Sequence, residues 1–491
     1  MKRMIALLLC LCFMLGGCTQ NQVHTDENAG VKPEPSPAPL ADDGSFDELA
    51  LGLPALPELP REPDESAFWE AMYGKNEEEQ NKLWDEFSAQ QAAYYEAVRS
   101  LRGDGVDESL AGAFETYTLK TARQLFSGDA QKNVVYSPAN LYLALCMLCE
   151  ATDGDTRAQL LSLLGLEDVG QARTASNSLW RTLYNDSATD KTLLANSIWL
   201  NEQIDFKQDV VDKLANDYYA STFRSKMGEA STDAAIAAWI NENTNYLLEN
   251  AANGIQTDPD TLMMLISALY FKGTWADQFE DFLTREDVFT TADGKEQKLD
   301  FMHQNRRGNF FRGSSSDGLR FTLASLPFCD GASMWFLLPD EGETPDAQAV
   351  ISELVRLTAS HAEADGSGVE AGYGDIRWSL PKFDVDSDLD LIPALKSLGV
   401  TDVFAKDAAD FSPLTDLDAV VSAIQHAARV KVDEEGCEAA AFTAISVTTT
   451  SCLPEKLPVI EMNLNRPFGF LITGTDGLPL FLGMVNTVSK S

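Results

Sequence analysis

The chain has 491 residues, enough for about two to four average domains or for one large domain with extensions, and a 44% hydrophobic content supports a sizeable core. A formal net charge of −39 excludes nucleic acid, whose phosphates would be repelled, and adsorption to anionic lipid. The acidity serves solubility.

Residues 1–18 place Lys2 and Arg3 ahead of an apolar run over 4–15, followed by Gly16-Gly17-Cys18-Thr19. The run is too short to span a membrane and has the layout of a secretory signal. Leu15-Gly16-Gly17-Cys18 is similar to a bacterial lipobox, in which Cys18 is diacylated and becomes the mature N-terminus; the alternative is an ordinary cleaved signal with an incidental cysteine. The expectation is a signal peptide over 1–17 and an extracellular protein, held to the bacterial cell-surface membrane through lipid on Cys18. Beyond Cys10, Cys12 and Cys18 remain Cys146, Cys149, Cys329, Cys437 and Cys452, an odd set that cannot pair completely within the chain. The helical offset of Cys146 and Cys149 suits packed core thiols, and no zinc-type spacing with histidine occurs.

Residues 18–65 are rich in proline, with Pro33, Pro35, Pro37 and Pro39 alternating and Pro54, Pro57, Pro60 and Pro63 at every third position. Such a chain is extended and semi-stiff, and it predicts a stalk. Over 66–106 the pattern becomes Leu83, Phe87, Tyr94, Val98 and Leu101, one apolar helical face opposite acidic residues, an acidic helical extension. Gly103-Asp104-Gly105 then breaks the chain, and the main domain is expected over 107–491.

Within that domain residues 110–126 read as a helix, and Ser137-Pro138 starts another, with serine capping and proline in the first turn. Residues 193–200, 262–271, 334–338, 430–432 and 468–472 read as strands, β-branched or aromatic and bounded by Gly, Asp or Pro. The class is α+β with large antiparallel or mixed sheets.

The stretch 432–458 has two natures. Cys437, Ala439, Ala441, Thr443, Ile445 and Val447 are all small or β-branched, and Glu438, Ala440, Phe442, Ala444, Ser446 and Thr448 alternate with them, the pattern of a strand with one buried face. Yet Ala439, Ala440 and Ala441 have little β-propensity and suit a helix or an exposed loop equally well.

The residues E-E-G-C-E-A-A-A-F-T (434–443) resemble the hinge of the serpin family, and the resemblance extends through the main domain. N-V-V-Y-S-P-A-N-L (133–141), with Thr156 and Gln159 before Leu163-Leu164-Gly165, is similar to the family's second helix and the loop after it. S-A-L-Y-F-K-G-T-W (267–275), with Phe279 and Phe289 beyond, is similar to its signature around the third strand of the main sheet. Pro381-Lys382-Phe383, Leu398-Gly399-Val400 with Phe404, Phe411-Ser412-Pro413-Leu414, Arg466-Pro467-Phe468 and Leu480-Phe481-Leu482-Gly483 follow in the family's order.

The resemblance implies an α+β serpin-like fold of three β-sheets with about eight to nine helices and an exposed reactive centre loop. It implies an irreversible suicide-substrate inhibitor of extracellular serine proteases rather than an enzyme. The target attacks the loop and forms an acyl-enzyme, and the freed loop then inserts as a strand and traps it. Glu434, Glu435, Gly436, Cys437, Glu438, Ala439, Ala440, Ala441 and Thr443 would be the hinge, Cys437 standing where the family has Thr or Ser. Counting by the common loop length places the reactive bond at Thr450-Ser451, within about two residues. Small neutral residues there suit an elastase-like or subtilisin-like protease, and Lys456 is a weaker basic alternative because Leu457-Pro458 follows.

Two clusters carry over by position. Ser137, Asn140, Ser267 and His426 match the polar knot that controls sheet opening, with Asn140 and Ser267 interchanged relative to the family, which predicts a reciprocal side-chain pairing. Lys382 and Glu434 match an ion pair at the loop's point of entry, beside Trp275. The family implies a monomer and no cofactor. A non-inhibitory binding or interaction lipoprotein on the same scaffold is the alternative, since fold does not fix function.

Other chemistry finds little material. There is no G-x-S-x-G elbow, P-loop or H-E-x-x-H, and the histidines are His24, His303, His361 and His426. Asp384, Asp386, Asp388 and Asp390 alternate as in a calcium loop, but Leu389 stands at the sixth position where glycine is needed. A solvated strand end is expected there, and no metal.

Overall fold

Capping chemistry sets the first helices. In the computed structural model, which describes residues 46–56, 62–128, 131–187, 189–343, 346–358, 368–422, 424–437 and 457–488, a 3-10 turn (Phe46–Leu49) leads into β1 (Ala50–Gly52). Helices α1 (Glu65–Met72) and α2 (Glu77–Arg102) follow. Asp64 accepts from Ala67 N–H at the start of α1, and Asn76 and Glu79 form a reciprocal capping box on α2. Gly103 ends α2 at φ 59°, conformational space that a residue without Cβ enters freely. Asp107 then caps α3 (Glu108–Leu125), where the main domain was expected to begin.

Strand β2 (Val134–Tyr136) runs into α4 (Pro138–Ala151), capped by Ser137, which accepts from Asn140 N–H, with Pro138 in the first turn. Helix α4 is apolar all round and buried along nearly its whole length, as such a helix must be. Next come α5 (Gly154–Leu164), α6 (Val169–Leu183), β3 (Asn185–Asp186) and β4 (Lys191–Asn201). They are followed by α7 (Gln208–Asp217), β5 (Ala220–Ser225), α8 (Ala230–Asn243), α9 (Glu249–Ala252) and β6 (Met263–Thr274). Strand-rich sequence then gives β7 (Arg285–Thr290), β8 (Glu296–Ser314), β9 (Arg320–Pro327) and β10 (Ser333–Pro339). Helix α10 (Ala347–Thr358) precedes β11 (Val369–Pro381) and β12 (Phe383–Asp390), and α11 (Ile392–Ser397) precedes β13 (Gln425–Val432) and β14 (Gly436–Cys437). The described chain closes with β15 (Val459–Asn463), β16 (Phe468–Thr473) and β17 (Pro479–Val485).

The class is α+β. The first sheet has eight strands in the order β1-β5-β4-β6-β14-β13-β12, with β3 on β4. The second has nine, in the order β15-β11-β8-β9-β10-β16-β17-β2, with β7 on β8. Of the three sheets expected, two are thus hydrogen-bonded into one, because the 19-residue β8 pairs with β11, β9 and β7 along its length.

One apolar core takes Tyr142 and Cys146 from α4, Trp180 from α6, Phe271 from the first sheet and Phe336, Phe470 and Leu482 from the second. A smaller cluster of Trp199, Phe223, Ile236, Trp239 and Ala268 fills the space between α8 and the first sheet. Cys146 and Cys149 lie buried on α4, and burial pushes both thiols up, Cys149 to about 12. None of Cys146, Cys149, Cys329 and Cys437 is in a disulfide.

The N-terminal segments depart from the expected stalk. Residues 46–52 lie on the main sheet: Ala50 pairs with Phe223 of β5, and the ring of Phe46 meets that of Phe223 edge-on at 5.8 Å. The reason is local composition, since Phe46, Leu49 and Ala50 supply apolar surface and β5 offers an edge strand to pair with. The extension is helical as read. Phe68 of α1 stacks on Phe87 of α2 at 4.2 Å, and Arg181 of α6 donates to the carbonyls of Leu101 at 2.5 Å and Ser100 at 3.0 Å.

Candidate functional site

Strand β13 pairs with β12 from Phe383↔Val432 to Asp390↔Gln425, and β6 pairs with β4. Between β6 and β13 lies β14, where Gly436 faces Thr274, and Cys437 faces Gly273 on one side and Val432 on the other. Among the described residues β6 and β13 share no register of their own, so the two are joined through β14. The expected hinge thus starts as a strand at one end of a slot in the main sheet. Its continuation through Glu438, Ala439, Ala440, Ala441 and Thr443, together with Thr450, Ser451 and Lys456, lies outside the described residues, as does Cys18.

Small residues make this seating possible. Cys437 is 3% exposed and belongs to the main core, so its side chain points inward as the alternation requires. Further along the described chain the Pro458 carbonyl accepts from Asp375 N–H at 2.9 Å, and β15 pairs in parallel with β11.

Residues 433–435 are held at three carbonyls. Trp275 Nε1 donates to Asp433 O at 3.0 Å, Phe279 N to Glu434 O at 3.0 Å and Trp275 N to Glu435 O at 2.9 Å. Trp275 is fully buried and stacks on Phe328 at 4.7 Å, so it is core and anchor at once. Lys382 Nζ lies 2.7 Å from Glu434 Oε2, whose other oxygen accepts from Thr284 Oγ1 at 2.8 Å. Burial opposes ionisation of Glu434, but the bonds from Lys382 and Thr284 hold its carboxyl below the usual range. Burial likewise works against the Lys382 ammonium, and the bond to Glu434 outweighs it and raises the amine. The three residues expected at the entry point are together.

Ser137, Asn140, Ser267 and His426, expected to control sheet opening, are together as well, with different bonds. Ser137 N–H donates to His426 Nε2 at 3.0 Å, and Asn140 Nδ2 donates to the backbone carbonyl of Ser267 at 2.9 Å. The N-terminus of α4 therefore touches both lips of the slot, β13 through His426 and β6 through Ser267. Burial pulls His426 down to about 4, so the ring is neutral at pH 7 and its nitrogen accepts. The expected side-chain exchange between Asn140 and Ser267 does not occur. Ser267 Oγ instead donates to Asn196 Oδ1 on β4 at 2.7 Å, the neighbour directly across the ladder, while Asn140 Oδ1 is buried with no hydrogen-bond partner among the described residues.

Two further residues belong to the site. Asn196 is 1% exposed in the middle of β4, and a buried amide among the strand's leucines and isoleucine is a signal that sequence reading could have used. Asp190 accepts from Thr274 N–H at 2.8 Å, beside the seated Gly436, and burial raises it to about 6. Nothing in its local sequence marks it. The alternating aspartates lie on β12, where Asp384 pairs with Arg429 at 2.6 Å instead of facing only water. Among the described residues no group of three or more His, Cys, Asp or Glu is placed to hold a metal ion.

The arrangement combines main-chain and side-chain bonds around the seated Gly436 and Cys437. It offers two strand edges, a small inward-facing residue already between them, and polar bonds that hold the edges from beneath. A family model described as serpin (serine protease inhibitor) matches residues 113–488. Serpin-Z1B of Triticum aestivum is 29% identical over 399 residues, covering 77% of this chain and 96% of that protein. Plasminogen activator inhibitor 1 of Sus scrofa is 28% identical, covering 77% of this chain and 92% of that protein. The native-state crystal structure of the thermophilic serpin tengpin superposes with a TM-score of 0.65 at 28% identity, covering 78% of this chain and 96% of that one.

Proposed function

The chain belongs to the serpin family, whose members are in general protease inhibitors rather than enzymes, and from that premise we propose that it irreversibly inhibits extracellular serine proteases. The target, an elastase-like or subtilisin-like enzyme, cleaves near Thr450-Ser451, and the freed loop enters the main sheet before water can release the acyl-enzyme. The observation that carries this is the seating of Gly436 and Cys437 between β6 and β13, which among the described residues share no register with each other. A strand continuing from Cys437 would gain backbone hydrogen bonds on both sides. The small residues from Ala439 to Ala441, and no proline or charge on the inward set, favour such entry.

Incubation of the purified chain with elastase and with subtilisin tests it. A covalent complex that survives boiling, with the cleaved free inhibitor far more resistant to melting than the intact one, is expected. Plain cleavage with no gain in melting resistance overturns it in favour of a non-inhibitory binding protein. Cys18 as the lipid anchor at the bacterial surface is part of the same proposal, and palmitate labelling lost in Cys18→Ser but present in the parent is its check.

A further inference from the structure

The segment that fastens the hinge rests on two strands of the second sheet. Trp275 N and Phe279 N hold the carbonyls of Glu435 and Glu434, and between them the carbonyls of Asp277 and Gln278 accept from Gln304 Nε2 of β8 at 3.3 and 3.4 Å. Arg306, two residues along β8, places Nη2 2.6 Å from Asp277 Oδ2. Across the ladder Trp378 of β11 stands opposite Gln304, and Ile376 stands opposite Arg306. All four side chains therefore share one face, and the burial of Trp378 and Ile376 marks it as the inner one.

Hydrogen bonding in this nest is incomplete. Trp378 is 2% exposed and its Nε1 has no hydrogen-bond partner among the described residues, and the same holds for the buried Arg306 Nη1 and Gln304 Oε1. Gln278 Nε2, in the covering segment itself, is likewise buried and unpartnered there. Such atoms are uncommon, because each gives up water and gains nothing in return. The side chains of Arg306 and Asp277 keep exposures of 18% and 36%, so this end of the nest reaches solvent.

We propose that this nest binds a small, singly charged oxyanion that keeps a proton, of the bicarbonate or dihydrogen-phosphate kind, and that the bound ion stiffens the segment holding the hinge. The unpartnered atoms select that class. Trp378 Nε1 and Arg306 Nη1 can only donate, so the guest presents acceptor oxygens to both, and Gln304 Oε1 can only accept, so the guest also carries a proton. The guanidinium favours an anion, while Asp277 beside it and a net charge of −39 weigh against a second negative charge on the guest. An ion held by Arg306 and Gln304 fixes the two side chains that grip Asp277 and Gln278, and lifting the segment then breaks its bonds as well. Neither part depends on protease inhibition.

The intact purified chain is melted in rising bicarbonate or phosphate, up to about 50 mM at constant ionic strength, with acetate and chloride as controls that accept but do not donate. At about pH 8 bicarbonate has one charge and one proton while phosphate is mostly doubly charged, and at about pH 6 the phosphate monoanion takes its place, so pH tells the two sources apart. The melting midpoint should rise with bicarbonate in the first condition or with phosphate in the second, and with neither control. Trp378→Phe keeps a ring against Phe336 and loses the N–H, and Arg306→Lys keeps the charge beside Asp277 and loses Nη1. Each should need about tenfold more ion for the same rise, the equivalent of one charge-assisted hydrogen bond. Arg307→Met, on the outer face and paired with Asp375, should match the parent. Every variant is read against its own ion-free midpoint, so a change in basal stability does not enter. Alkylation of Cys437 should slow about fivefold at saturating ion in the parent and in neither nest variant. No rise with either ion, an equal rise with acetate or chloride, unchanged dose curves in both nest variants, or an equal loss in Arg307→Met overturns the site. A rise that leaves Cys437 labelling unchanged overturns the tie to the hinge.

Discussion

Gly436 approaches Gly273 so closely that a Cβ on the first would lie 2.1 Å from the carbonyl oxygen of the second. The obstacle is backbone, so no rotamer change relieves it. Gly436→Ala must therefore lift the hinge out of the slot and expose Cys437, at a loss of backbone bonds worth about 1 kcal/mol net each. Alkylation read by peptide mass spectrometry should show Cys437 labelling about tenfold faster in the variant, with Cys146 and Cys149 protected in both. Unchanged labelling of Cys437 would show that the close approach is not required.

The Lys382–Glu434 ion pair is half-buried, with side-chain exposures of 32% for Lys382 and 12% for Glu434, so it counts for more than a surface pair. Lys382→Met leaves the Glu434 carboxylate with Thr284 and should cost about 1.5–3 kcal/mol, while the double variant Lys382→Met/Glu434→Gln should recover part of it. Because the folded carboxyl lies below its ordinary range, the contribution is complete above that range and is lost as pH falls through the folded value. Denaturation midpoints of parent and Lys382→Met should converge in acid. A constant gap would place the effect in packing of the lysine stem.

What the sequence made legible divides along physical lines. Ser137-Pro138 announced α4 because capping is a local interaction, and the alternation around Cys437 gave its inward direction because strand parity is local too. Lys382 and Glu434 were found together through family position, which stands in for a contact between distant segments. The bond from Asn140 to a backbone carbonyl was illegible, since residue types do not say whether an amide meets a side chain or a main chain. The seating of residues 46–52 on β5 was hidden by the prolines around it, although Phe46 and Leu49 were already too apolar for a solvated stalk.

The bonds of Ser267 make a sharp statement about coupling. Asn140 meets only its backbone, which every substitution retains, whereas its hydroxyl meets the amide of Asn196. A double-mutant cycle between Asn140→Ala and Ser267→Ala should therefore give a coupling near zero, and one between Ser267→Ala and Asn196→Ala about 0.5–1.5 kcal/mol. It follows that exchanging Asn140 and Ser267 will not restore what Asn140→Ser loses. Full recovery in the exchanged variant would show the side chains to be partners after all.

His426 ties the stability of the fold to acidity, and the direction can be worked out. Its folded value is pulled down to about 4 by burial, against an ordinary 6.5, so between these limits the unfolded chain binds a proton that the native one does not. Stability therefore rises with pH across this window and is lost on acidification, by up to about 3 kcal/mol in all. Asp190 acts in the opposite sense, since burial raises it from 3.8 to about 6 and the native state then binds the extra proton as pH falls. The two slopes overlap, and only a comparison separates them. His426→Gln is neutral throughout and offers an oxygen to Ser137 N–H, so denaturation midpoints of parent and variant between pH 7.5 and 4 isolate the histidine. The parent should lose ground to the variant steadily below pH 6.5, because the unfolded chain takes up the proton, while the bond from Ser137 is itself lost only near pH 4, where the folded ring is protonated and can no longer accept. Parallel pH profiles would mean that the ring reaches water and titrates alike in both states.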